Sequence, residues 1–155
     1  MSGTADAVYF EDLEVGRTMR AGPIDVTLEE VLAFARAYDP QPFHLDEAAA
    51  LESPFRGLAA SGWHTAALAM RLFVEMRPFG TNPILGLGVD ELRWLAPVRP
   101  GDRLTLVGEV IELLPSRSRP DRGTVRMQLV ASNQRGEPVF ANRPILFVPR
   151  RRPGL

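Results

Sequence analysis

The spacing of apolar positions changes along this chain, and the change separates two kinds of element. Thr27 and Glu30 have the spacing of a capping box, after which Leu28, Val31, Leu32, Ala35 and Tyr38 recur at helical intervals. The spacing predicts a helix from about Leu28 to Tyr38. Asp39-Pro40-Gln41-Pro42 ends it, because the prolines remove backbone donors and push their predecessors out of the α region. Phe43 to Leu45 is thereby held in a stiff turn. Asp46 stands where it would cap a short helix over Glu47 to Glu52, closed by Pro54 and Gly57. A further helix starts near Ser61-Gly62. From Trp63 to Met76 it carries apolar residues almost all round, among them Ala66, Leu68, Met70, Leu72, Phe73 and Val74. Such a helix has to be buried on most sides.

Beyond Pro78 the period shortens to two. Val125, Met127, Leu129 and Ala131 alternate with Thr124, Arg126 and Gln128, the pattern of a half-buried strand. Further strands are expected over Leu85 to Leu95, Arg103 to Leu114 and Val139 to Val148. Turn chemistry at Pro97 to Asp102, Pro115 to Gly123 and Asn133 to Gly136 predicts antiparallel pairing between neighbours. Pro144 predicts a bulge or an edge. Helices followed by a run of strands read as α+β, an antiparallel sheet covering one apolar helix. With no internal repeat or low-complexity segment, residues 1–155 are expected to form a single domain.

Composition narrows the function classes. With 45% hydrophobic and 24% charged residues, the 155-residue chain has the balance of a globular protein with one core. Eighteen basic against nineteen acidic residues leave a formal net charge of −1, too small a field to attract nucleic acid or an anionic membrane. Arg150-Arg151-Arg152 reads as a solvated end rather than a binding patch. Cysteine is absent, which removes disulfides, thiolate metal sites and cysteine nucleophiles together and fits a reducing compartment. Met1 to Ala7 lack the marks of a signal peptide, and no segment reaches the ~18 apolar residues of a membrane span. The cytoplasm is the expected location.

The chemistry concentrates in two segments. One of only two histidines lies five positions after an acid, in Asp39-Pro40-Gln41-Pro42-Phe43-His44. A carboxylate and an imidazole on one rigid turn can share a water, one taking its proton while the other orients it. The alternative is purely structural: Asp39 ends the helix and His44 packs beside the next. The second segment, Phe55-Arg56-Gly57-Leu58-Ala59-Ala60-Ser61-Gly62-Trp63-His64, leads into the apolar helix. A helix N-terminus offers unpaired N–H groups and partial positive charge to an oxygen that becomes anionic. Gly62 would let a ligand approach that backbone, and Ser61 reads as the N-cap. His64, in the first turn, reads as packing or substrate lining, and Trp63 as core or as a flank of the ligand. No metal-ligand spacing appears.

These segments, with Tyr9-Phe10-Glu11-Asp12-Leu13-Glu14-Val15-Gly16 before them and Pro97-Val98-Arg99-Pro100-Gly101-Asp102 after, resemble the MaoC-like (R)-specific enoyl-CoA hydratase and dehydratase family over nearly the whole chain. Asp39, Pro42 and His44 match the family's hydratase motif. Gln41 stands where that motif has Asn, Tyr38 where a Gly commonly precedes the Asp, and Ser61 where the helix motif commonly has His. The resemblance implies a hotdog fold, a long sheet wrapped around a central helix, and a homodimer or higher oligomer with its substrate tunnel near the interface. It implies that Asp39 and His44 are catalytic, that the Gly62 N–H binds the thioester oxygen, and that no cofactor is used. The implied reaction adds water to a trans-2-enoyl-CoA or another acyl thioester, or removes it from an (R)-3-hydroxyacyl thioester. The rivals are a hotdog thioesterase and a non-catalytic acyl-CoA-binding subunit.

Overall fold

The computed structural model describes residues 6–151. After a short turn at Phe10–Asp12 come β1 (Thr18–Asp25), α1 (Leu28–Tyr38), α2 (Pro42–Leu45), α3 (Glu47–Leu51) and α4 (Gly62–Met76). Then follow β2 (Leu85–Trp94), β3 (Arg103–Pro115), β4 (Arg122–Ser132) and β5 (Pro138–Pro149). The strands form one antiparallel sheet in the order β1-β3-β4-β5-β2.

The helices start and stop for the local reasons expected of them. Thr27 Oγ1 accepts the Glu30 N–H at 3.2 Å, and Asp46 Oδ1 accepts that of Ala49 at 2.8 Å. Pro42 sits in the first turn of α2, where a missing N–H costs nothing, so the stiff turn after α1 becomes one turn of helix.

The sheet wraps α4, and inward residues of β3 and β4 alternate with outward ones. Leu72 and Phe73 from α4 join Leu104, Leu106, Val110, Val125, Met127 and Phe140 in the core. Each such side chain taken from water contributes roughly 1.5–3 kcal/mol.

The structure differs from expectation at β1, β2 and α4, and has irregular pairing beside Pro144, where a bulge or an edge is expected. β1 carries no periodic signal in the sequence: its residues are mostly exposed on an edge, so no alternation marks them. β2 does not pair with its neighbour β3, but crosses to the far edge beside β5. Pro144 lies in the interior strand β5, and the irregularities beside it fall in the β2–β5 pairing, at Gly86/Gly88 and Asp90/Arg93. Finally, α4 buries one side only: Trp63, Met70 and Val74 on its other flank are exposed.

Candidate active site

Asp39 and His44 meet because α1 ends at one and α2 carries the other. The Asp39 N–H donates to Ala35 O at 2.9 Å, closing α1, and the His44 N–H donates to Gln41 O at 3.0 Å. The His44 ring is only 4% exposed and packs on the edges of Phe43 and Phe55. Its Nδ1 lies 2.7 Å from Ala59 O, and its Nε2 lies 3.3 Å from Asp39 Oδ2. A carbonyl cannot donate, so Nδ1 carries a proton, and Nε2 is the ring nitrogen that faces the carboxylate. Asp39 Oδ2 and His44 Nε2 stand close enough for one water in the cavity to reach both.

Ser61 completes this group. It occupies the N-cap of α4 but makes no capping bond; its hydroxyl donates to Asp39 Oδ2 at 2.6 Å. From the other side, Gln41 Nε2 donates to Asp39 Oδ1 at 2.6 Å. The Ser61 hydroxyl foremost, then the Gln41 amide and the His44 ring, hold the Asp39 carboxyl below its ordinary range, against partial burial that raises it. The carboxylate stays ionised and acceptor-only at neutral pH. Gln41, standing where the family motif has Asn, thus serves Asp39 directly. Tyr38 is 77% exposed and packs at a tilt on Phe34, outside the cavity lining.

A cavity of about 420 Å³ opens over the pair, lined by Asp39, His44, Phe55, Ala60, Gly62, Trp63, Thr65 and Trp94 through Val98. Gly62 is the first residue of α4, so no carbonyl one turn back within the helix accepts its N–H. The close approach that requires glycine there is made by Trp94. Its Nε1–H donates to Gly62 O at 2.6 Å, and a Cβ on Gly62 would lie 2.7 Å from the indole. Trp63 meets Trp94 edge to face at 5.1 Å and is 59% exposed, so it is not core. His64 lies outside this lining, buried and stacked on Phe34 at 5.0 Å.

Sequence reasoning missed Ser61's bond and Trp94. Neither leaves a local signal, since their partners lie 22 and 32 positions away. At the C-terminal end, Arg150 and Arg151 pair with Glu11 and Asp12, tying that end back to the first turn. Arg152 falls outside the described residues.

A sheet wrapped around one helix defines a hotdog protein, and here an acid and an imidazole stand beside that helix's N-terminus. Residues 11–133 match the MaoC like domain, and the chain belongs to that family. It is 47% identical to a MaoC-like dehydratase from Rhodospirillum rubrum of known structure, covering 94% of this chain and 99% of that one at a TM-score of 0.86. The R-hydratase PhaJ1 from Pseudomonas aeruginosa is similar at 28% identity and a TM-score of 0.75, covering 94% and 88%. A 3-hydroxybutyryl-CoA dehydratase from Methylorubrum extorquens is 36% identical over 72% of this chain and 69% of its own length. No helix among the described residues is long and apolar enough to cross a membrane.

Proposed function

We propose that the chain hydrates trans-2-enoyl thioesters, or dehydrates (R)-3-hydroxyacyl thioesters, with Asp39 and His44 as its acid-base pair and the Gly62 N–H as the thioester oxygen's donor. The observation that carries this reading is Asp39 Oδ2 and His44 Nε2, 3.3 Å apart at one wall of a cavity whose neighbouring wall is a helix N-terminus. Asp39 and the His44 Nε2 hold one water above C3 of the substrate. As the water oxygen bonds to C3, one of the pair takes its proton and electron density moves to the thioester oxygen. The Gly62 N–H, helped by the α4 dipole, stabilises that oxygen; a donor of this kind lowers a barrier by roughly 3 kcal/mol. The proton returns to C2, so water adds with no co-reactant.

The relatives support the reaction class: one is named for 3-hydroxybutyryl-CoA and another as an R-hydratase. The cavity's size is ordinary for a small-molecule site. We further propose that two copies of the chain associate.

The test is to mix the protein with crotonyl-CoA and follow enoyl absorbance alongside free thiol. Absorbance loss without thiol release supports hydration. Thiol release would make the protein a thioesterase, and silence in both over a panel of acyl chains would make it a binding subunit. In the active protein, Asp39→Asn and His44→Ala should each lower the rate ~10²- to 10⁴-fold or more without loss of folding. The double variant should be little worse than the poorer single, because both groups act on one water.

A further inference from the structure

The segment from Phe55 to Gly62 supplies most of the site's supports. Phe55 packs on the His44 ring, Ala59 O accepts the Nδ1 proton, Ser61 holds Asp39, and Gly62 opens α4. Before α4 begins, the segment has no helix or strand of its own, so its position must be imposed from outside.

The loop after β2 imposes it. The Ala60 N–H donates to Val98 O at 2.7 Å. The Arg99 guanidinium donates through Nη2 to Phe55 O at 2.6 Å and through Nη1 to Leu58 O at 3.3 Å. Ala59, whose carbonyl fixes His44, is thus flanked on both sides by residues tied to one loop. Arg99 is itself held: its N–H donates to Asp102 Oδ2 at 2.9 Å, and Asp102 Oδ1 accepts Gln134 Nε2 at 2.9 Å. Gly57, at φ +150°, leaves the guanidinium its space, since a Cβ there would lie 3.2 Å from Nη1.

Two features separate this arginine from a substrate-binding one. It is not among the residues lining the cavity, and among the described residues it makes no ion pair. Its charge is directed at two neutral carbonyls of the segment it braces.

We propose that Arg99 is a positioning residue for His44. By holding the Phe55 and Leu58 carbonyls, it keeps Ala59 O where that oxygen fixes the Nδ1–H tautomer and leaves the Nε2 lone pair facing Asp39. Without the guanidinium the segment loosens, and the imidazole gains access to the other tautomer. That tautomer donates to Asp39 and cannot take a proton from water. Arg99 therefore acts on turnover and leaves substrate affinity alone. The inference rests on the reading of His44 as an acid-base group, but the tautomer itself can be measured without any activity.

The test compares Arg99→Met, which keeps length and loses every donor, with Arg99→Lys, which keeps one. In a His64→Gln background a single histidine remains, and ¹⁵N-detected imidazole correlations read its tautomer at a pH where the ring is neutral. The unaltered Arg99 should give one protonated Nδ1, Arg99→Met a mixture, and Arg99→Lys an intermediate. In crotonyl-CoA hydration, kcat should fall ~10- to 100-fold in Arg99→Met, the cost of a small misplacement, with KM within about twofold. Arg99→Lys should recover part of it. An unchanged tautomer, or a raised KM at unchanged kcat, would overturn the proposal. Should Arg99→Met not fold, the same two readouts on Arg99→Lys decide the matter. If the unaltered protein does not hydrate any enoyl thioester, the hydratase reading falls, and the tautomer comparison still judges Arg99.

Discussion

At the scale of single residues, the site is a set of hydrogen bonds to one carboxylate, and the bond from Ser61 is the one to remove first. Ser61→Ala deletes the leading cause of the lowered Asp39 pKa. The acid limb of kcat/KM against pH should therefore move upward in this variant, because the carboxylate now protonates at higher pH. An acid limb that stays in place would mean that Gln41 and His44 suffice. A second prediction concerns His64, whose burial disfavours the imidazolium, with Glu30 offsetting part of the effect. The folded pKa is lowered, so the unfolded chain takes up a proton first as pH drops below about 6.5. Stability from this group is then fully present above that pH and declines toward pH 5. Among the described residues His64 Nδ1 also has no hydrogen-bond partner, so His64→Leu should flatten the fall in Tm between pH 7.5 and 5. The same residues show how far the sequence reaches. Asp39 and His44 are five apart on a proline-stiffened turn, so their pairing is local and readable. Ser61 reaches Asp39 only because the end of α1 packs beside the start of α4, and no pattern along the chain encodes that meeting.

At the scale of elements, α4 divides into a face the protein is built on and a flank it leaves open. Leu72 is fully buried against the sheet, while Met70, two positions earlier, is half exposed. Leu72→Ala should cost ~2–5 kcal/mol, as emptied core sites do, and Met70→Ala in the isolated chain much less. Urea unfolding of both variants checks this, and equal losses would mean that α4 is covered on both sides. The apolar residues of α4 announced a buried helix but could not say which flank stays open, since helical spacing is silent about what lies opposite. Strand β1 was illegible for a related reason. An edge strand exposed along most of its length has little apolar face to alternate, and its partner β3 begins 78 residues further on, Asp25 pairing with Arg103.

For the whole molecule, the open flank of α4 lies on the side where β2 forms the sheet edge. Leu85, Leu87 and Val89 are exposed along that strand, and Trp63, Met70 and Val74 along the helix. The charges of β2, Asp90, Glu91 and Arg93, fall in its second half, so Leu85–Val89 is an uncharged apolar edge, a surface that pairs or aggregates unless covered. A second copy of the chain, meeting the first across β2, is the cover we expect. Leu87→Lys should shift the protein toward a monomer, read by light scattering across micromolar concentrations. A monomeric unaltered chain would count against this association. The expectation of a partner rests on family resemblance and on a sheet edge that needs cover. The sequence does not show which edge, because the β2-to-β5 crossover that exposes β2 is a property of strand order and leaves no periodic trace.

The position of the two tryptophans has a practical consequence. Trp63 and Trp94 are the chain's only tryptophans, they touch each other, and both line the cavity. Every photon of indole emission from this protein therefore originates at the candidate site. The Trp94 ring, held by Gly62 O, and the more exposed Trp63 ring sit in different surroundings, and a ligand in the cavity they line would change both. Titrating a non-hydrolysable acyl-CoA analogue should quench or blue-shift the emission with a single saturable curve. Trp63→Phe and Trp94→Phe, examined separately, should assign the change to each ring. Emission that ignores the analogue while the same analogue inhibits turnover would place the substrate elsewhere. Occupancy of the cavity can thus be followed by eye of instrument alone, in an unlabelled protein, before any product is known.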